Sequence, residues 1–264
     1  SKHAEEALKS AVQIAKKNGS EIFLLHLLEL PHQLHDAMTN GSSIPEVMLF
    51  IKKAHEKLQK IKEQPHLQGI TISTTVQFER AFDGILSFNK KNNIDLIVMG
   101  SSGSSGIEEM LIGSNTEKVV RLSDIPVLVV KKDLDTFNIK NIVFASDFTK
   151  EIKKPFLKMI EFANIFDANL ALVMICTPNS FKTTAIAEKT MKDFIADFEV
   201  KNYSINIYND SNIEKGIRNF TNTIGADLIG LCTHGRTGLS HFFNGSIGED
   251  LVNHSTKPVI TFKI

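Results

Sequence analysis

The sequence DLIVMGSSG at residues 95–103 returns as DLIGLCTHG at residues 227–235, an offset of 132 residues. The match continues without a gap through further pairs of identical residues: Gly106/Gly238, Gly113/Gly245, Ser114/Ser246, Glu117/Glu249, Pro126/Pro258 and Val127/Val259. Self-similarity at one fixed spacing indicates a duplicated unit. We therefore predict two domains, residues 1–132 and residues 133–264, which are called the first copy and the second copy below.

The composition is that of an ordinary globular protein with balanced charge. The chain has 30 basic and 30 acidic side chains, a formal net charge of +0, and 42% hydrophobic residues among 264. This balance gives no support to nucleic acid or an anionic membrane as a partner. The two cysteines, Cys176 and Cys232, are too few for a disulfide framework. With no apolar run of membrane-spanning length and no signal peptide visible, we expect a cytoplasmic protein.

Short apolar runs alternate with helix-spaced segments along both copies, which predicts doubly wound parallel α/β sheets. In the second copy the predicted order is strand 141–146, helix 150–166, strand 170–175, helix 184–198, strand 203–208, helix 212–224, strand 227–231, a helix from Ser246 and strand 258–262. In the first copy it is helix 3–18, strand 21–27, helix 44–63, strand 70–78, helix 83–92, strand 95–99, helix 114–122 and strand 126–130. The polar segments 32–43 and 131–140 are predicted to be a loop or lid and the connection between the copies.

The first copy has no counterpart of the opening strand of the second. Aligning residues 15–19 with residues 163–167 places Ser1 opposite Thr149, so nothing corresponds to residues 141–148. Either the chain is truncated at its start or the first sheet is incomplete. We favour truncation, because an empty position in a parallel sheet leaves backbone groups unpaired.

Both glycine-rich loops lie between an apolar strand and a helix, where open α/β sheets bind ligands. Gly113-Ser114 and Gly245-Ser246 stand at the predicted helix starts, where free N–H groups and the helix dipole favour an anion. The alternative is that these are turn glycines followed by a capping serine. The repeated spacing favours phosphate binding, and neither a Walker A sequence nor G-x-G-x-x-G is present.

The spacing Gly100-x2-Gly103-x9-Gly113-Ser114 resembles the ATP-binding signature of the universal stress protein family (UspA domain), as does the start of the second copy at residues 142–148. The resemblance covers nearly the whole chain. It implies two tandem sheets of strand order 3-2-1-4-5, of the adenine nucleotide alpha hydrolase-like fold, and it implies a stress-response role. The ligand implied is ATP, with or without Mg²⁺. The residues implied to hold it are Gly100 near the ribose, Gly103, Gly113, Ser114 and Asn115 at the phosphates, Gly235, Gly245, Ser246 and Ile247 in the second copy, Asp147 facing the adenosine, and Leu27 and Ile175 beside the adenine.

Each copy departs from this signature in a different way. Cys232 replaces the first signature glycine of the second copy, so a side chain projects there. The first copy keeps every glycine but has no residue that matches Asp147. We therefore predict an asymmetric pair of sites, and the first is favoured on its loop if the missing strand exists in the native protein.

Other candidate sites are weaker. His26, His32 and His35 lack the spacing of a metal site, so we expect no bound metal. Cys176 and Cys232 would end strands on either side of the opening one, roughly 9–10 Å apart and too far for a disulfide without movement. No assembled catalytic group is visible at the ligand edge.

The predicted function is therefore a nucleotide-binding stress switch or sensor, with slow ATP hydrolysis open. The alternatives are a non-nucleotide interaction module and a genuine nucleotide-cleaving enzyme. We also expect the last strands of the two copies, residues 126–130 and 258–262, to pair, because an exposed apolar edge is a liability. That pairing would make the tandem a pseudo-dimer within one chain, with homodimerisation left open.

Overall fold

The computed structural model describes residues 1–29, 44–101, 113–131, 137–233 and 251–264. The helices are α1 Lys2–Asn18, α2 Ile44–Lys62, α3 Ala81–Asn92, α4 Ser114–Leu122, α5 Lys153–Phe166, α6 Thr184–Ile195 and α7 Ile213–Thr223. The strands are β1 Ile22–Leu28, β2 Ile72–Phe78, β3 Ile97–Gly100, β4 Val127–Val130, β5 Asn141–Ala145, β6 Asn169–Cys176, β7 Tyr203–Asn209, β8 Leu228–Thr233 and β9 Val259–Lys263. Residues 251–254 are also helical. These elements agree closely with the sequence predictions, whereas the segment 32–43 and the start of the predicted helix at Ser246 lie outside the described residues.

The described chain forms two compact units. One contains residues 1–10 and 95–264, and the other contains residues 11–94. The larger unit carries a seven-stranded sheet of order β3-β4-β9-β8-β5-β6-β7. Within it the second copy has the order β7-β6-β5-β8-β9, with parallel pairing throughout. This is the predicted 3-2-1-4-5 sheet.

The last strands of the two copies pair with each other, as predicted. β4 and β9 run antiparallel, and Leu128 lies opposite Ile260. These two residues are equivalent at the 132-residue offset. On either side of them, Val127 pairs with Thr261 and Val129 pairs with Val259. Val127 is equivalent to Val259 and Val129 to Thr261, so both pairs join the same two positions of the repeat. A surface that pairs with its own equivalent is isologous, the geometry of a twofold dimer. The tandem therefore reproduces a dimer contact inside one chain.

The first copy contributes its strands to two different sheets. β3 and β4 pair in parallel and belong to the seven-stranded sheet, whereas β1 and β2 pair in parallel as a separate two-stranded sheet in the smaller unit. No strand of the described residues corresponds to β5 in this copy. In the smaller unit α2 and α3 pack against β2 and β1.

The core of the larger unit lies around β4, β5, β6, β8 and β9, whose side chains are almost all buried. Phe144, Phe148, Phe156 and Phe194 form a chain of ring contacts with centroids 5.1–6.3 Å apart. Such edge and tilted contacts stabilise a core beyond the area that they bury. Within the described ranges, no helix is both long enough and apolar enough to cross a membrane.

Candidate functional site

The carboxyl ends of β5 and β8 meet at the point where the strand order of the second copy reverses, which is where open α/β sheets bind ligands. The chain leaves β5 through Ser146, Asp147 and Phe148. Phe148 has φ 57°, and its N–H donates to Ser146 Oγ at 3.1 Å. Asp147 Oδ1 accepts from Thr149 N at 3.3 Å. This turn holds Asp147, only partly buried, at the crevice.

Cys232 at the end of β8 lies in the same crevice as Asp147. Its side chain is fully buried, and burial together with the negative charge of Asp147 raises the pKa of the Cys232 thiol. Both causes favour the neutral form. The neutral thiol is therefore favoured, and a buried neutral thiol is a poor nucleophile. The sequence predicted that a side chain projects at this position, and the structure places it in the core.

Thr233, the next residue, is a polar group of this crevice that the sequence analysis missed. Its Oγ1 is buried and has no hydrogen-bond partner among the residues that the structure describes. Its carbonyl accepts from Ile264 N at 3.0 Å. A buried hydroxyl without a partner costs about 1–3 kcal/mol, so a ligand or water that bonds to it is favoured. Ser101 is its counterpart at the 132-residue offset, so both copies carry a hydroxyl at this position. This shared hydroxyl could have identified Thr233 from the sequence.

In the first copy the two ends of the glycine-rich loop are joined by hydrogen bonds. Ser101 N donates to Val130 O at 3.1 Å, and Gly113 N donates to Ser101 O at 2.9 Å. Helix α4 therefore starts directly beside the end of β3. Ser114 and Asn115 are exposed at its first turn.

The first turn of α4 leaves backbone donors free. No side chain caps the helix, and the N–H groups of Ser114, Asn115 and Thr116 have no acceptor in the described part of the chain. The hydroxyl of Thr116 instead donates to Gly100 O at 3.0 Å and ties the helix to β3. Unsatisfied N–H groups at the positive end of a helix form an anion-binding site.

Gly100 is in close contact with the start of α1. A Cβ at Gly100 would lie 2.6 Å from His3 Cβ and 2.7 Å from His3 O. Glycine is required here because another residue would push the backbone of α1 away. The first signature glycine thus has a packing role, and its place near a ribose stays a prediction.

Leu27 and Ile175, which the resemblance places beside the adenine, pack against helix glycines. A Cβ at Gly84 would lie 2.5 Å from Leu27 Cδ2, and a Cβ at Gly216 would lie 2.5 Å from Ile175 Cγ2. Ile175 is only 1% exposed. The two glycines recur at the same 132-residue offset, a signal that the sequence analysis passed over.

The remaining predicted residues, Gly103, Gly235, Gly245, Ser246 and Ile247, lie outside the described residues. Across the described ranges, no group of three or more His, Cys, Asp or Glu side chains could hold a metal ion. Cys176 and Cys232 are both free and buried. Their strands, β6 and β8, flank β5 as the sequence predicted.

Comparison with known proteins agrees with this architecture. The model of the universal stress protein family matches residues 1–131 and 205–263. A universal stress protein of Methanocaldococcus jannaschii is 34% identical over 128 residues, which are 48% of this chain and 74% of that protein. A universal stress protein of Synechocystis is 21% identical over 283 residues, covering 98% of this chain and 96% of that protein.

A solved structure extends the similarity along the whole chain. The crystal structure of a universal stress protein from Archaeoglobus fulgidus superposes with a TM-score of 0.71 at 21% identity, covering 98% of this chain and 92% of that one. At that identity the likeness shows the fold. It includes residues 132–204, which the family model leaves unmatched and which hold β5, α5, β6 and α6.

Proposed function

The chain belongs to the universal stress protein family, and from that premise we propose that it binds ATP or a related adenine nucleotide and acts as a stress-response switch or sensor. The observation that carries the proposal is the first turn of α4. Three N–H groups without acceptors among the described residues, two exposed residues and the positive helix end meet at the signature residues Gly113 and Ser114. Phosphate oxygens are the ligands that such an arrangement favours.

The proposed roles follow the signature in each copy. In the first copy Gly103, Gly113, Ser114 and Asn115 would hold the phosphates and Gly100 would lie near the ribose. In the second copy Gly235, Gly245, Ser246 and Ile247 would hold the phosphates, and Asp147 would face the adenosine. Leu27 and Ile175, which pack against Gly84 and Gly216, would border the adenine. Mg²⁺ would enter, if at all, with the nucleotide.

The two proposed sites are unequal. Asp147 is held at the crevice of the second copy, but the buried Cys232 takes the place of the first signature glycine. The first copy has three α4 N–H groups without acceptors in the described part of the chain. We propose that the first site holds the phosphates more tightly, because the donors there are preorganised. A cytoplasmic location is proposed from the two free cysteines, and homodimer formation stays open.

Calorimetric titration of the chain with ATP tests the proposal when it is paired with Ser114→Asp. An aspartate at the first helical residue interacts favourably with the helix dipole, by about 0.3–1 kcal/mol, so α4 should remain folded. The same carboxylate would repel a bound phosphate. We expect the variant to bind ATP at least about tenfold more weakly, a loss of about 1.4 kcal/mol.

Thr184→Asp is the matched control, because Thr184 is the exposed first residue of α6 as Ser114 is of α4. It adds the same charge at the same helix position and should leave the ATP affinity unchanged. No heat of ATP binding to the full-length protein, with the opening strand of the first copy restored, would refute nucleotide binding and favour the interaction-module alternative. ATP turnover that survives Ser114→Asp would argue against hydrolysis at this loop.

A further inference from the structure

A cleft of about 280 Å³ opens in the larger unit between the end of β9, the start of α5 and the turn before β4. It lies at the seam where the two copies pair. Its charged lining residues are Lys154, Lys158, Lys263, Asp124 and Glu151, and Pro155 forms part of its apolar wall. None of these residues belongs to the nucleotide signature.

The positions of Lys154 and Lys158 on α5 lower the stability of that helix. Lys154 and Lys158 are four residues apart, so two like charges face each other one turn apart, which destabilises a helix by a few tenths of a kcal/mol. Lys154 lies in the first turn of α5, where the helix dipole disfavours a cation. The first turn of α5 contains no acidic residue, and no side chain caps it.

The unfavourable charges are not relieved within the described protein. In the described ranges, Lys154 and Lys158 make no ion pair within 4.0 Å, in contrast to Lys153, which pairs with Asp197. Lys154 is exposed and Lys158 is half-buried. Local conflicts of this kind, kept at one place, are typical of functional sites.

The acidic residues of the cleft do not cancel this charge. Asp124 already pairs with Lys263, with Nζ and Oδ1 2.7 Å apart. Glu151 is the other acidic side chain among the described lining residues, where three lysines face two acids. The described side chains that line the cleft therefore carry an excess of positive charge at the start of α5.

We propose that this cleft binds a small phosphate-bearing anion through Lys154 and Lys158, with Lys263 at its rim. Lysine binds phosphate as a compact point charge, and the described residues that line the cleft include no arginine, whose planar fork suits carboxylates. The space accommodates a pyrophosphate-sized group. Because the cleft contains residues from both copies, an anion bound there would bridge the seam of the tandem. The proposal does not depend on nucleotide binding at the glycine loops.

Lysine acetylation, read residue by residue by mass spectrometry, tests the site directly. Inorganic pyrophosphate at low ionic strength is the probe, because salt screens exposed charges. We expect acetylation of Lys154 and Lys158 to slow by at least about threefold when pyrophosphate is present. Lys189 and Lys192 serve as internal controls, since they are exposed lysines of α6 that pair with Asp193 and Glu188. Their rates should not change.

The double variant Lys154→Gln/Lys158→Gln completes the experiment. Protection of Lys263, which still lines the cleft, should be lost in this variant and retained in Lys189→Gln/Lys192→Gln, which removes the same charge elsewhere. Far-UV circular dichroism checks that both variants fold. Equal protection of all five lysines, or none at Lys154 and Lys158, would overturn the proposal. Either result would leave the ATP titration unaffected, because the rates are read at these lysines alone.

Discussion

β1 and β6 occupy equivalent places in the two copies, yet one is half-exposed and the other is buried. β6 lies between β5 and β7, whereas β1 pairs only with β2 among the described strands. Six of the seven side chains of β1 are partly exposed, and seven of the eight on β6 are buried. β3 and β8 differ in the same way. Similar apolar strands thus reach different burial because a strand of a parallel sheet is fully covered only between two neighbours.

The largest expected effect of this difference is on core truncation. Leu24 and Leu172 are equivalent residues of β1 and β6 at the 148-residue offset that aligns these segments. Leu172 is 0% exposed, so Leu172→Ala should cost about 2–5 kcal/mol of unfolding free energy through lost burial and a cavity. Leu24 is half-exposed, and Leu24→Ala should cost about 1 kcal/mol.

Urea unfolding measures both losses. The chain has no tryptophan and only two tyrosines, Tyr203 and Tyr208, both on β7. Tyrosine fluorescence therefore follows the second copy, and far-UV circular dichroism follows both. Equal losses for the two variants would show that β1 is as well covered as β6 and would remove the basis of the comparison.

Much of this contrast follows from the repeat in the sequence. The offset between residues 95–103 and 227–235 predicted the duplication, and the family resemblance implied the strand order that the second copy shows. It could not predict that β1 and β2 form a sheet separate from β3 and β4, because hydrogen-bond partners depend on tertiary contacts rather than on local pattern.

The sequence predicted the strands and helices around the candidate site better than the side-chain contacts there. The glycine spacing placed α4 and its free donors at the end of β3. Periodicity marks where a strand ends, but not which of its side chains a helix covers. For that reason the packing of Ile175 on Gly216 and the unpaired hydroxyl of Thr233 emerged only from the structure.

The two helix glycines offer a second, smaller test of unequal packing. In Gly216→Ala the new methyl would meet Ile175 Cγ2 at 2.5 Å, a β-branched methyl in a fully buried side chain. In Gly84→Ala it would meet the flexible end of the half-exposed Leu27. Overpacking costs about 1–3 kcal/mol, while alanine in place of glycine stabilises a helix by about 1 kcal/mol.

We therefore expect Gly216→Ala to lose about 1–2 kcal/mol net, and Gly84→Ala to be close to neutral. Thermal unfolding followed by circular dichroism gives both values. A Gly216→Ala protein as stable as the parent would show that Ile175 can move, and that the adenine-side wall proposed for the second copy is adaptable rather than fixed.

The smallest expected effect concerns a pair of lysines that the duplication made equivalent. Lys131 and Lys263 follow β4 and end β9 at the 132-residue offset. Lys131 Nζ donates to the carbonyls of Val252 and Asn253 at a helix end of the second copy, and burial lowers the pKa of Lys131 from 10.5 to about 8. Lys263 is less enclosed and pairs with Asp124.

Stability should therefore depend on pH through Lys131. With its pKa lowered on folding, the native state loses the Lys131 proton at lower pH than the unfolded chain does, so between about pH 8 and 10.5 the unfolded state binds more protons and stability rises with pH. From pH 7 to 8.5 the expected gain is about 1 kcal/mol. In Lys131→Gln this rise, measured by urea unfolding across that range, should disappear, and in Lys263→Gln it should persist. Loss of the rise in both variants would mean that the protonation of Lys131 depends on Lys263. The charged environments of the two copies would then be more similar than their packing.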